Sequence, residues 1–240
     1  MSNNRVIGKA VRRLDAYDKA AGRHVYPSDF TAERMLHVKV LRTKYAHAEI
    51  LSIRTKLAEQ TAGVVKIITA SDIPGHNGYG LVVDHQPVLC DRKVLHLGDV
   101  IAIVAAENEV IALQACALIE VEYKVLELLT DPEEALSPDV PQLHEHGNLC
   151  SKVNLGHGDT LAGFAEADMI FEKEYTTSAQ EHAFLETEAG GAYYDDSGIL
   201  TIFVGGQNPF NDHRQIAPVL GLADDEIRVI NPAVGGAFGG

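Results

Sequence analysis

Hydrophobic and polar positions along the chain switch between a period of two and a period of three to four, and the switches mark out its elements. From residue 35 to 41 apolar residues alternate (Leu36, Val38, Val40), which predicts a half-buried strand. Ile50, Ser52 and Arg54 lead into residues 55–60, where Thr55 is placed to cap a short helix. Residues 64–69 are rich in β-branched side chains and predict a strand. Asp72-Ile73-Pro74-Gly75 and Asn77-Gly78 carry turn chemistry. The clearest pattern runs from Asp99 to Leu126. It predicts a buried strand over 100–105, an alanine-rich helix over 107–118 and an alternating strand over 119–125. The short connections leave open whether those two strands are parallel neighbours.

Beyond this unit Asp131-Pro132-Glu133-Glu134 reads as a helix start, with Asp as cap and Glu at N3. Residues 137–158 lose the periodicity and gain proline and polar residues, so a linker and a domain boundary are placed there. Asp159 and Thr160 can cap a helix ending at Ala167. Residues 169–177 alternate as a strand. Residues 192–194 and 199–204 read as two strands joined by the turn Asp195-Asp196-Ser197-Gly198. Asn208 with Pro209 opens a helix that ends at Gly221, with Pro218 expected to disturb its last turn. A strand at 227–230 leads into Val234-Gly235-Gly236-Ala237-Phe238-Gly239-Gly240, where the sequence stops. Residues 1–24 read as an extended basic lead-in carrying Arg12, Arg13, Lys19 and Arg23.

Composition narrows the classes. The 240 residues are 46% hydrophobic and 22% charged, an ordinary globular balance. Lys plus Arg is 20 and Asp plus Glu is 34, giving a net charge of −14, which opposes binding to nucleic acid or an anionic membrane. No uninterrupted apolar run approaches the ~18 residues of a membrane span. Cys90, Cys116 and Cys150 are odd in number and far apart, which reads as reduced thiols in a cytoplasmic protein.

Candidate chemistry lies in three places. His144, His146, His157 and Cys150 could ligate a metal, but their spacing matches no usual zinc pattern and the polar-linker reading is preferred. Glu181, His182, Glu186 and Glu188 could form an acid–base cluster, although carboxylates at a strand edge are more often solvated. The C-terminal glycines flank a single Ala-Phe pair. They suit either a flexible tail or a backbone that a ligand approaches closely. No nucleophile-elbow, phosphate-loop or zinc-protease motif is present.

Taken together, Gly206-Gln207-Asn208-Pro209, Gln180-Glu181-His182 with Leu185-Glu186, and the 234–240 motif resemble the molybdenum-binding subunit of the xanthine dehydrogenase/aldehyde oxidase family. Asp29, the Tyr45-Ala46-His47-Ala48-Glu49-Ile50 segment, Ala62-Gly63-Val64, Asp72-Ile73-Pro74-Gly75, Leu97-Gly98-Asp99 and Val121-Glu122-Tyr123 are similar to that family's α/β hammerhead domain. His144-Glu145, Asn148 and Gly158-Asp159 fit as well, so the resemblance covers essentially the whole chain.

The resemblance implies an α+β fold. A hammerhead domain with its lead-in spans 1–136, a linker 137–158, and the first part of a molybdopterin-binding domain 159–240. It implies a molybdenum hydroxylase acting on an N-heterocycle (purine or nicotinate-like) or an aldehyde with water-derived oxygen. The implied cofactor is molybdenum-molybdopterin, the cytosine dinucleotide form included. The implied partners are an iron–sulfur subunit with 2Fe-2S clusters, an FAD subunit and a second molybdopterin subunit. By motif position Gln207 hydrogen-bonds an oxygen ligand of the metal, and Gly236, Phe238 and Gly239 line the cofactor. The family's late catalytic glutamate has no counterpart in these residues. The chain is therefore expected to be an N-terminal fragment or one piece of a split subunit, inactive by itself. The competing reading is a non-catalytic relic or a module that docks the other subunits.

Overall fold

In the computed structural model, which describes residues 7–239, the first half runs through α1 (Ala16–Ala20), β1 (His37–Arg42), β2 (Ala48–Arg54), α2 (Lys56–Glu59), β3 (Val64–Ile68), β4 (Lys93–Val94), β5 (Val100–Ala106), α3 (Glu109–Ala117) and β6 (Glu120–Val125). The second half adds α4 (Thr160–Glu166), β7 (Gly190–Tyr194), β8 (Leu200–Val204), α5 (Pro209–Leu220) and β9 (Ile227–Ile230). Residues 1–6 of the lead-in and Gly240 of the terminal motif lie outside the described residues. The chain divides into two units, one holding the described residues up to 125 and from 182 onward, the other residues 126–181.

Three small sheets build the first unit. β5 sits between β1 and β3, and β2 sits between β4 and β6, all pairs antiparallel. In the third sheet β8 pairs antiparallel with β7 and parallel with β9. The core follows from the two faces of β5. Ala102, Val104 and Ala106 are buried against Ala112, Ala115 and Cys116 of α3, and small side chains on both elements let the helix approach the strand closely. Ile101 joins a second cluster with Ala48, Cys90 and Val94. Leu41, Ile53 and Val121 pack against both clusters. Asn108 starts α3 by accepting the Ile111 N–H at 2.9 Å. Burial, with the nearby Asp99 charge, pushes the Cys90 thiol up to about 12, so it packs as an inert hydrophobe.

Several local expectations change in the fold. β1 forms, but Val38 and Val40 face outward while His37, Lys39 and Leu41 turn inward. The Lys39 stem lies under α3 and its Nζ meets Glu109 Oε1 at 2.6 Å. β2 forms where periodicity predicts no strand, because its burial does not alternate; its ladder to β6 shifts register between Ile50 and Ser52. Thr55 Oγ1 bonds the Glu59 carboxylate at 2.7 Å and caps no backbone N–H. β5 and β6 belong to different sheets, so α3 is not a parallel crossover. The alternating run 169–177 forms no strand. No strand among the described residues pairs with it, and every residue in it is exposed.

In the unit 126–181, Asp131 Oδ1 accepts the N–H groups of Glu133 and Glu134, but only one 3-10 turn (Glu134–Leu136) follows. One asparagine ties the polar segment together. Asn148 accepts the Leu143 N–H at 2.8 Å and donates to the carbonyls of Ala135 (2.9 Å) and Pro141 (3.0 Å). Asp159 caps α4 through the N–H groups of Leu161 and Ala162.

The end of α5 is finished by another part of the chain. Pro218 sits inside the helix, which still runs to Leu220 and closes at Gly221 in the left-handed region (φ 65°). Two carbonyls of that last turn, Pro218 and Val219, accept N–H groups from His76 (2.9 Å) and Gly75 (3.0 Å). Gln215 accepts the Gly80 N–H at 3.0 Å and extends the contact. The approach is so close that a Cβ on Gly75 would lie 2.0 Å from the Pro218 carbonyl oxygen. Gly75→Ala is therefore expected to destabilise the fold by about 1–3 kcal/mol through overpacking. Gly156→Ala, where nothing lies within 4 Å of a new Cβ, is expected to stay within about 0.5 kcal/mol. Urea unfolding of the two variants measures the difference.

Candidate functional site

The pairing of the third sheet brings three loops to one end. β8 and β9 are parallel, so the segments that follow them, 205–207 and 231–239, leave the sheet side by side. β7 is antiparallel and begins opposite Val204, so the segment before it, 184–189, lies at that same end. Between them is a pocket of about 340 Å³ whose lining includes Phe184, Glu186, Glu188, Gly205, Gly206, Gln207, Gly236 and Ala237.

Each loop is held by named contacts. Asn208 accepts the N–H groups of Phe210 (3.1 Å) and Asn211 (3.2 Å), so Gln207 stands immediately before the capped N-terminus of α5. Gln207 is exposed, and its amide makes no side-chain hydrogen bond among the described residues. Beneath Gly206, Asn231 Nδ2 donates to the Val204 carbonyl (2.9 Å) and to Asp212 Oδ2 (3.1 Å). A Cβ at Gly206 would fall 2.6 Å from that Asp212 oxygen and 2.8 Å from Asn231 Nδ2, so a larger residue would have to displace this network.

The glycine loop is gripped from two sides. His24 donates from Nε2 to the Ala233 carbonyl at 2.6 Å, which fixes its tautomer. Lys19 Nζ donates to the Val234 carbonyl at 2.5 Å. From the other side the Glu186 carboxylate accepts the Gly235 N–H. Tyr26 packs edge-on to His24, with centroids 4.6 Å apart, and Phe30 stacks on Tyr193 at 5.7 Å. Residues 15–24, expected to be part of an extended lead-in, instead form a helix and, with residues 25–30, a 3-10 turn packed on the third sheet. The signal for this was weak, since it rests on contacts more than 160 residues away.

The sequence-predicted residues separate at this point. Gln207 and Gly236 line the pocket. Phe238 takes a left-handed φ of 56°, is 72% exposed and lays its ring over Gly236, while Gly239 (φ 100°) lies against the His182 ring. Both are outside the pocket lining. Of the acidic cluster, Glu181 and His182 are exposed, whereas Glu186 turns inward and Glu188 lines the pocket. No three His, Cys, Asp or Glu side chains among the described residues converge to hold a metal ion, so His144, His146, His157 and Cys150 do not meet. No helix among them is long and apolar enough to cross a membrane.

Comparison with known proteins agrees with this layout. Residues 21–127 match the family described as the aldehyde oxidase and xanthine dehydrogenase a/b hammerhead domain, and residues 143–240 match the molybdopterin cofactor-binding domain. The chain is 42% identical over 236 residues to a probable xanthine dehydrogenase subunit of Bacillus subtilis, covering 98% of this chain and 32% of that protein. It is 35% identical to the nicotinate dehydrogenase large molybdopterin subunit of Eubacterium barkeri, over 98% of this chain and 55% of that protein. Its fold superposes on the aldehyde oxidoreductase of Desulfovibrio gigas with a TM-score of 0.85 at 28% identity, over 95% of this chain and 27% of that one. The chain thus spans about a third to a half of the length of these curated relatives.

The clamp makes a pH prediction. Lys19 also pairs with Asp15 at 2.9 Å, and hydrogen bonds from Lys19 and then Arg13 hold the Asp15 carboxyl at about 2, below its ordinary 3.8. A lowered folded pKa means that the pairing contributes above pH 3.8 and is lost as pH falls through about 2. Carboxyl NMR titration is expected to give Asp15 a midpoint near 2, moving up toward 3.8 in Lys19→Gln. An unmoved midpoint would place Lys19 away from Asp15.

Proposed function

The chain belongs to the xanthine dehydrogenase and aldehyde oxidase family, with that family's hammerhead and molybdopterin-binding domains in order, and from this premise we propose that it forms part of a molybdenum hydroxylase acting on an N-heterocycle. The observation that carries the proposal is the pocket at the end of the third sheet. There the Gln207 amide stands without a side-chain partner among the described residues, beside walls of glycine backbone.

These residues fit a bulky oxygen-bearing group. Gly205, Gly206 and Gly236 present backbone without side-chain volume, and Gln207 supplies an uncharged N–H donor. Such a donor stabilises developing negative charge without adding a group that takes up protons beside the metal. Gln207 and Gly236 would hold the group, with Phe238 and Gly239 at its rim. When bound, the molybdenum-molybdopterin supplies oxidative hydroxylation of an electron-poor carbon with oxygen from water. The rest of the site would orient the group, and pre-set backbone dipoles do this without reorganising during reaction. Electrons would leave to 2Fe-2S and FAD partner subunits. The heterocycle is favoured over an aldehyde because Gln180-Glu181-His182-Ala183-Phe184-Leu185-Glu186-Thr187 is closer to that branch. The nicotinate dehydrogenase relative is in keeping with this choice.

A docking role without catalysis is the second reading. Exposed Leu155, Leu161, Phe171 and Tyr175 in the unit 126–181 favour it. The two readings part on cofactor content. The natively purified full-length complex is expected to carry stoichiometric molybdenum by elemental analysis, and its absence would overturn the hydroxylase. In that complex Gln207→Ala is expected to lower kcat about 100-fold, the cost of removing one oriented donor. Residues 1–240 expressed alone are expected neither to retain the cofactor nor to turn over.

A further inference from the structure

We infer that Glu186 is a positioning residue that locks the two cofactor-facing loops together, a role that rests on the hydroxylase reading. Three observations meet on this side chain. Its Oε2 accepts the Gly235 N–H, so it holds the loop after β9. Its Oε1 lies 3.6 Å from where a Gly205 Cβ would stand, so the same carboxylate abuts the loop after β8, two residues before Gln207. Both neighbours are glycines, and a Cβ on Gly235 would come within 3.1 Å of Glu186 Cβ and 3.2 Å of Oε2. The carboxylate therefore fills the gap that the two missing side chains leave.

The grip has a polarity. Lys19 and His24 hold the carbonyls of Val234 and Ala233, and Glu186 holds the next N–H. Donors on one side and an acceptor on the other fix the orientation of consecutive peptide planes. That orientation decides where Gly236 faces the pocket. Among the described residues Glu186 forms no ion pair and has the backbone as its partner. A carboxylate that accepts a backbone N–H gives a charge-assisted bond, stronger than a neutral one. Its neighbours differ. Glu188 lines the pocket from an exposed position, and His182 sits at the far end of the loop against Gly239.

The test uses Glu186→Ala and Glu186→Gln in the full-length complex. Hydrogen exchange of peptides covering 205–207 and 231–239 reads the lock directly, whether or not the protein carries cofactor. Loss of a charge-assisted bond is expected to speed exchange of both loops about tenfold or more in Glu186→Ala. Glutamine keeps an acceptor oxygen without the charge, so Glu186→Gln is expected to speed exchange of both loops by only about threefold. Molybdenum content is expected to fall in the alanine variant, and its Mo(V) resonance to broaden or shift, with glutamine restoring both. Exchange in Glu186→Ala equal to wild type would overturn the inference, as would glutamine no better than alanine. If the alanine variant does not accumulate, the glutamine variant decides alone: exchange about threefold faster in both loops supports the lock, and exchange identical to wild type overturns it. Wild-type complex without molybdenum would sink the hydroxylase reading instead, while the exchange comparison still decides Glu186.

Discussion

The parallel pairing of β8 with β9 is the constraint on which the site depends. Two strands that run the same way need a crossover, and α5 provides it. The crossover separates Gln207 from Gly236 in sequence and returns them to the same edge of the sheet. A hairpin in place of the helix would send the second loop to the opposite end. The antiparallel β7 then adds its leading segment to the same edge because it runs against β8. Three stretches that share no local pattern thus meet through strand direction alone.

Close backbone approach is the recurrent device that keeps this arrangement in place. Gly75 lets the 75–80 loop finish the last turn of α5, which itself carries a proline. Gly206 sits on the Asn231–Asp212 network, and Gly191 makes room for the Phe30 ring, 2.6 Å from where its Cβ would be. At each position the reason for glycine is space, not flexibility. Phe30, Tyr193 and Phe203 then pin the N-terminal segment to the sheet, with centroid separations of 5.7 and 6.3 Å. His24 and Lys19 carry that anchoring to the glycine loop.

These contacts hold a pocket in which glycine backbone and the uncharged Gln207 amide stand beside the carboxylates of Glu186 and Glu188. Oriented N–H groups need no reorganisation when charge develops. Cys90 and Cys116 are buried with raised pKa and pack as hydrophobes. Acidic composition tells against nucleic acid but carries no information on the site itself.

The sequence by itself determined the elements whose signals are local. The 100–125 unit, the β8 turn and β9, the Asn208 cap and the Gly221 close were all legible because periodicity, capping oxygens and positive-φ glycine act within a few residues. The segments singled out by resemblance, Gly206-Gln207-Asn208-Pro209 and the terminal glycine motif, come together at one pocket. Only the tertiary structure decided which face of β1 is buried, that β5 and β6 enter different sheets, and that 169–177 forms no strand. Burial and strand pairing depend on what comes to lie opposite, which no window of the chain contains. The same holds for Glu186. Its neighbours are polar and give it the pattern of a solvated edge. Its role comes from a glycine N–H 49 residues further along the chain, brought within reach by the sheet.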